Sequence, residues 1–201
     1  MPETAEEVYA RVVALVGEDG RLPLPDVTTR ETFPWEGELR PRRFLPPVDV
    51  EQPRNGEGEE PCWRCANPDA GAIWRNERWL VSTTEKPTGL PIVLFLQSRE
   101  HMDFIDMDDE LAEEYGRITN HLHRIVHYLP NIGRVHVCKW GDGSEHLHVW
   151  FMGRTARLPQ TIGSHAAEWD ELLPPGPEDV WRADLHEVAR KLANHGGQAL
   201  A

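Results

Sequence analysis

The sequence predicts an α+β fold: a five-stranded, largely antiparallel sheet with helices on one face, an N-terminal arm before it and a C-terminal helix after it. Three observations carry this. Beyond Pro61, β-branched and aromatic residues gather into five short runs separated by turn residues. One long stretch between the third and fourth runs keeps its apolar residues three and four apart. The order of three strands, a helix and two strands, with short connections at both ends, suits antiparallel pairing better than parallel crossovers.

In chain order, Thr4 and Glu7 have capping-box spacing, and Val8, Val12 and Leu15 follow on one face until Gly17, so residues 4–16 read as a short amphipathic helix. From Gly20 to Pro61 prolines, glycines and charges dissolve the pattern into an irregular acidic arm. Candidate strands follow at Ala72–Trp74, Trp79–Thr83, Pro91–Gln97, Arg134–Trp140 and His146–Met152. The helix between the third and fourth, Asp108 to Leu129, aligns Leu111, Tyr115, Ile118, Leu122, Ile125 and Leu129 behind an acidic first turn. After the proline-rich link at 173–177, Trp181, Leu185, Val188 and Leu192 line a last helix that stops at Gly196. These boundaries divide the chain into an arm at 1–60, a core domain at 61–154 and an extension at 155–201.

Composition narrows the function. The 201 residues carry a net charge of −13, which repels phosphate backbones and argues against general nucleic-acid binding. The first sixty residues hold 14 acids against 7 bases, so about half of that excess lies in the arm and reads as solvation. No apolar run exceeds five residues, as at Ile92–Leu96, against about 20 for a membrane span. The acidic start lacks the basic region of a signal peptide, so the expectation is a cytoplasmic protein. Three cysteines are too few for a disulfide scaffold, and the close pair Cys62 and Cys65 points to metal or redox chemistry.

The most informative stretch is Arg134 to Arg154, two strands joined by the tight turn Gly141-Asp142-Gly143. Side chains alternate along a strand, so His146, His148 and Trp150 share one face while Leu147, Val149 and Phe151 pack on the other. Cys62 and Cys65 have the spacing of two ligands to one tetrahedral zinc, which needs two more; His101 and His146 are candidates. A redox dithiol or two buried thiols have the same spacing.

Together these residues resemble the histidine-triad family. His146-Leu147-His148-Val149-Trp150-Phe151-Met152 is similar to its motif of histidines alternating with apolar residues on a last strand, with tryptophan in place of the third histidine. Cys62, Cys65, His101 and His146 resemble the zinc set of zinc-bearing triad proteins and of galactose-1-phosphate uridylyltransferase. The stretch from Gly133 through Trp140-Gly141-Asp142-Gly143 is similar to a group of actinobacterial triad-like proteins.

The resemblance implies a nucleotide phosphoester or phosphoramidate hydrolase, or a nucleotidyltransferase, acting through a covalent nucleotidyl-His148. It implies a structural zinc, a nucleotide or sugar-nucleotide ligand, and a homodimer joining two five-stranded sheets. By position, Trp150, Ser144 and Lys139 would bind substrate. The sequence departs from the family pattern twice: Trp150 carries no proton that titrates near neutrality, and the turn before His146 is short. Both departures motivate an alternative, a non-catalytic, zinc-stabilised nucleotide-binding protein of the same fold. A zinc-ribbon interaction protein built on the cysteine pair alone is a third reading.

Other residues have plain readings. His123 and His127 stand four apart and could share a metal, though surface positions suit them better; Trp74 and Trp79 suit the core, and Trp63 packing beside the cysteines. Which face His136 and Cys138 take depends on hairpin register, which one residue of slip inverts.

Overall fold

The computed structural model describes residues 4–201 as two compact units, divided between Gln52 and Pro53. In the first, Thr4 caps helix α1 (Ala5–Val13) through the reciprocal bonds of a capping box with Glu7. A 3₁₀ turn at Asp26–Thr29 follows, and the ring of Phe44 lies over Tyr9 at 6.0 Å. None of the described residues up to Gln52 is buried, so this unit has no core of its own.

The second unit runs through a one-turn helix α2 (Trp63–Ala66), strands β1 (Ala72–Arg75), β2 (Trp79–Thr83) and β3 (Ile92–Ser98), and helix α3 (Asp109–His127). Strands β4 (Ile132–Cys138) and β5 (His148–Thr155), helices α4 (Ala166–Leu172) and α5 (Glu178–Ala193), and a two-residue strand β6 (Gln198–Ala199) complete it. The sheet is antiparallel in the order β4-β5-β3-β2-β1-β6. The sixth strand was not expected, and its two residues are too few to show alternation. It is fixed from outside: the Trp74 indole donates to Gly196 O at 2.9 Å, and the Leu200 amide to Ile73 O.

Ile118, Leu122 and Val126 of α3 and Leu185, Val188 and Leu192 of α5 cover one sheet face, packing on Val81, Leu94, Leu96 and Phe151. The alternate positions of β3 and β5 face the other way, where Val93, Met152, Phe95 and Trp150 form a small second cluster that Ala167 of α4 touches. A helix therefore meets that face too. Trp74 and Trp79 are both in the main core. Among the described residues no helix is long and apolar enough to cross a membrane.

Candidate functional site

The strap at 53–61 was expected to belong to the arm, yet its residues bond to the loop before β5. The Asn55 amide donates to Gly143 O, the Glu145 amide donates back to Asn55 O, and Ser144 Oγ donates to the same carbonyl. The Asn55 side chain accepts from the Trp63 amide at 3.0 Å and donates to Pro61 O at 2.9 Å, which sets the entry to α2. Gly56 lies where a Cβ would stand 2.9 Å from His101 Cε1 and 3.1 Å from Cys62 Cβ. Its φ of +88° adds a second reason for glycine.

What this packing encloses is a four-donor cluster. Cys62 and Cys65 Sγ with ring nitrogens of His101 and His146 lie within 4.8 Å of one another. His146 Nδ1 is 3.4 Å from Cys62 Sγ and 3.5 Å from Cys65 Sγ, and His101 Nδ1 is 3.5 Å from Cys65 Sγ. A tetrahedral zinc with ordinary bond lengths separates sulfur from nitrogen by about 3.6 Å. Each ring nitrogen away from the cluster is held: His146 Nε2 donates to Ser98 O at 2.9 Å, and His101 Nε2 to Glu145 at 3.1 Å. Both rings therefore turn Nδ1 to the sulfurs: His146 presents it unprotonated, and on His101, which the bond to Glu145 raises above the usual imidazole range, a metal would take the place of the Nδ1 proton.

The charges agree. Burial pushes Cys62 up, but bonds from the Cys65 amide, the Cys65 thiol and His101 outweigh it and lower the thiol; burial and the Cys62 charge raise Cys65. A metal cation between them would hold both as thiolates. Burial also holds His146, 1% exposed, below the usual imidazole range. This is a candidate metal site.

Two residues on, His148 Nδ1 donates to His146 O at 2.8 Å, which leaves Nε2 with the free lone pair. Its ring lines a cavity of about 850 Å³, within the usual 300–1,000 Å³ range of small-molecule sites. Directly across the β3–β5 ladder lies Gln97, also on the cavity wall. Buried Ser82 donates its hydroxyl to Gln97 Oε1 at 2.8 Å, so the Gln97 amide group keeps its donors beside His148.

No family model matches the chain, and no curated protein matches it. Solved structures do. A histidine triad protein of Sinorhizobium meliloti 1021 is 12% identical over 63% of this chain and 93% of its own, with a TM-score of 0.50. One of Marinobacter aquaeolei VT8 is 14% identical over 64% and 94%, also at 0.50. The chain has the histidine-triad fold.

On that fold the remaining residues singled out in the sequence divide. Ser144 lines the cavity, and Trp63, expected to pack, is 56% exposed and lines it as well. Lys139 and Trp150 do not line it. Strand β4 ends at Cys138, and Lys139 turns to Asp103 at 2.9 Å, which also binds Arg54 at 2.7 Å. Burial raises Asp103, yet the bonds from Arg54 and Lys139 prevail and hold it at about 2. Trp150 packs between Phe95 and Trp140, at 4.5 and 5.4 Å, with its indole N–H buried and unpartnered.

His136 pairs with Met152 and Cys138 with Trp150, which puts both on the His148 face of the sheet. His123 and His127 stack at 6.3 Å, and neither joins a group of three metal donors among the described residues. Sequence reasoning missed Gln97, Asn55 and Arg64. Gln97 carried a signal: a lone amide closing the apolar run of β3, in the register position that faces the motif strand.

Proposed function

We propose that this chain transfers or hydrolyses nucleotidyl groups through a covalent adduct on His148, with Cys62, Cys65, His101 and His146 holding a structural zinc. One observation carries the reading: the Nδ1–H bond to His146 O commits the imidazole to a single tautomer and leaves Nε2 as a nucleophile on the cavity wall. Nε2 attacks the α-phosphorus of a nucleotide or sugar nucleotide, a P–N bond forms, and the bond to the leaving group breaks. Water or a second phosphate then takes the nucleotidyl group and frees the ring. The Gln97 amide donates to the phosphate oxygens in both steps, and Ser144, whose hydroxyl is given to Asn55 O, offers them its backbone N–H. Zinc at the four-donor cluster would supply rigidity, tying the strap, α2, the end of β3 and the start of the motif into one support.

Trp150, packed away from the cavity, leaves the third motif position without a general acid. An indole supplies no titrating proton, so leaving groups that depart as stable phosphate anions suit this site better than amines. The same feature favours the second reading, a binding protein of this fold without turnover. The homodimer belongs to the first reading and is checked by light scattering.

The test is intact-mass spectrometry of the zinc-replete protein quenched in acid and base during incubation with a sugar nucleotide and with an adenosine phosphoramidate. An acid-labile, base-stable adduct mapping to His148 establishes the reaction. Ligand binding with no adduct and no product over hours gives the chain to the second reading.

A further inference from the structure

Arg64, between the two cysteines, is 9% exposed and lines the same cavity as His148. Arginine is almost never buried this far unless paired. Here no carboxylate lies within ion-pair distance among the described residues, and the neighbouring Asp69 is already bound by Arg75 at 2.9 Å. The guanidinium is nevertheless held in place. Nη1 donates to Asn67 O at 3.1 Å and Ala70 O at 3.0 Å, and the Trp63 indole lies 5.1 Å from its centre. The rest of the group has no partner among the described residues: Nε is buried and closed to solvent, while Nη2 makes no hydrogen bond and keeps exposed surface.

A desolvated cation without a counter-ion costs several kcal/mol, more than packing on one indole returns. The cysteines do not neutralise it once they share a divalent cation, because two thiolates, two imidazoles and the ion sum to zero charge. An unbonded, exposed Nη2 on a guanidinium fixed by two carbonyls is a charged donor left over for an oxygen of an oxyanion.

We propose that Arg64 is the oxyanion anchor of the cavity and takes a phosphate group of the ligand on Nη2. The inference rests on the cavity of the proposed reaction but not on His148. A protein that binds phosphate at Arg64 and turns nothing over sustains it while ending the catalytic reading.

The experiment is an NMR titration of the zinc-replete, ¹⁵N-labelled full chain with inorganic phosphate and, separately, acetate, following the Arg64 Nε–H resonance. Phosphate should shift it saturably and bind more tightly than acetate. Arg64→Gln should weaken phosphate binding by at least about tenfold, the loss of one charge-assisted contact, with zinc content unchanged. Arg64→Lys, which keeps charge and loses the fork, should fall between. Shifts confined to residues 141–144, an unchanged Kd in Arg64→Gln, or tighter binding of acetate would overturn the proposal. Where the variants fail to fold, the wild-type titration decides alone.

Discussion

The two ends of the motif face differ in how their polar atoms are satisfied. At its start, His146 and His148 each commit one nitrogen to a backbone carbonyl, Ser98 O and His146 O, and each turns the other outward, toward sulfur or toward the cavity. Trp150, on the same face two residues later, has one polar atom, which is buried with no partner between Phe95 and Trp140. The first end is built around groups held for an outside ligand. The second accepts the cost of an unmet donor, about 1–3 kcal/mol, in exchange for aromatic packing. A triad-like sequence therefore divides into a half that keeps ring nitrogens available and a half that packs.

The largest expected effect sharpens the first half. His148→Ala should lower turnover of any accepted nucleotide by at least about 10³-fold, as for loss of a nucleophile, while Tm moves by no more than about 4 °C. Steady-state kinetics and a thermal melt on one preparation check both, and turnover above a tenth of wild type removes His148 from the reaction. Next comes the metal. If the four-donor cluster holds zinc as proposed, stripping it with a chelator would leave the Cys62 and Cys65 thiols facing each other and loosen the strap from the motif. The expected loss is about 4 kcal/mol, seen as a fall in Tm of about 10 °C that stoichiometric zinc reverses. An unchanged melt would leave the support to hydrogen bonds alone.

A smaller effect tests the ionic layer behind His101. Asp103, held at about 2 by Arg54 and Lys139, lies below its unfolded value of about 3.9. Its contribution is therefore complete above about pH 5 and drains as pH falls through the folded value, amounting to about 2 kcal/mol. Asp103→Asn should lose that amount at pH 7 in urea denaturation, and the gap to wild type should close between about pH 4 and 2. A gap that persists at low pH would assign the loss to packing.

How much of this was legible before the structure follows from which physical signals are local. Strand alternation gave the β4–β5 pair and the shared face of His148 and Trp150, though β5 begins at His148 and His146 lies in the bend before it, and cysteine spacing with two distant histidines gave the four donors that the fold brings within 4.8 Å. The other five strands announced themselves as runs of β-branched and aromatic residues and α3 by its period; β6 is too short to show either, and its two residues are placed by Trp74 and Ile73. Register hid the rest. His136 and Cys138 could be assigned a face only once the β4–β5 ladder and its irregularity between Ile132 and Arg134 were known. Lys139 left the site because the strand ended one residue before it. Arg64 is an ordinary polar residue in sequence, and only burial without a full set of partners distinguishes it.

The smallest effect bears on the second half of the motif. Trp150→Phe removes the unpartnered indole N–H and keeps an aromatic ring against Phe95 and Trp140. Relief of the buried donor, about 1–3 kcal/mol, opposes the lost ring volume, which costs a similar amount in a packed cluster. The net change in stability should stay within about 1 kcal/mol in urea denaturation, and turnover or nucleotide affinity should stay within about threefold. If the indole instead swings to donate to a bound phosphate, the phenylalanine variant loses about tenfold in affinity with no change in stability. That result would merge the two halves of the motif into one site, and its absence would keep Trp150 as packing on a strand whose chemistry ends at His148.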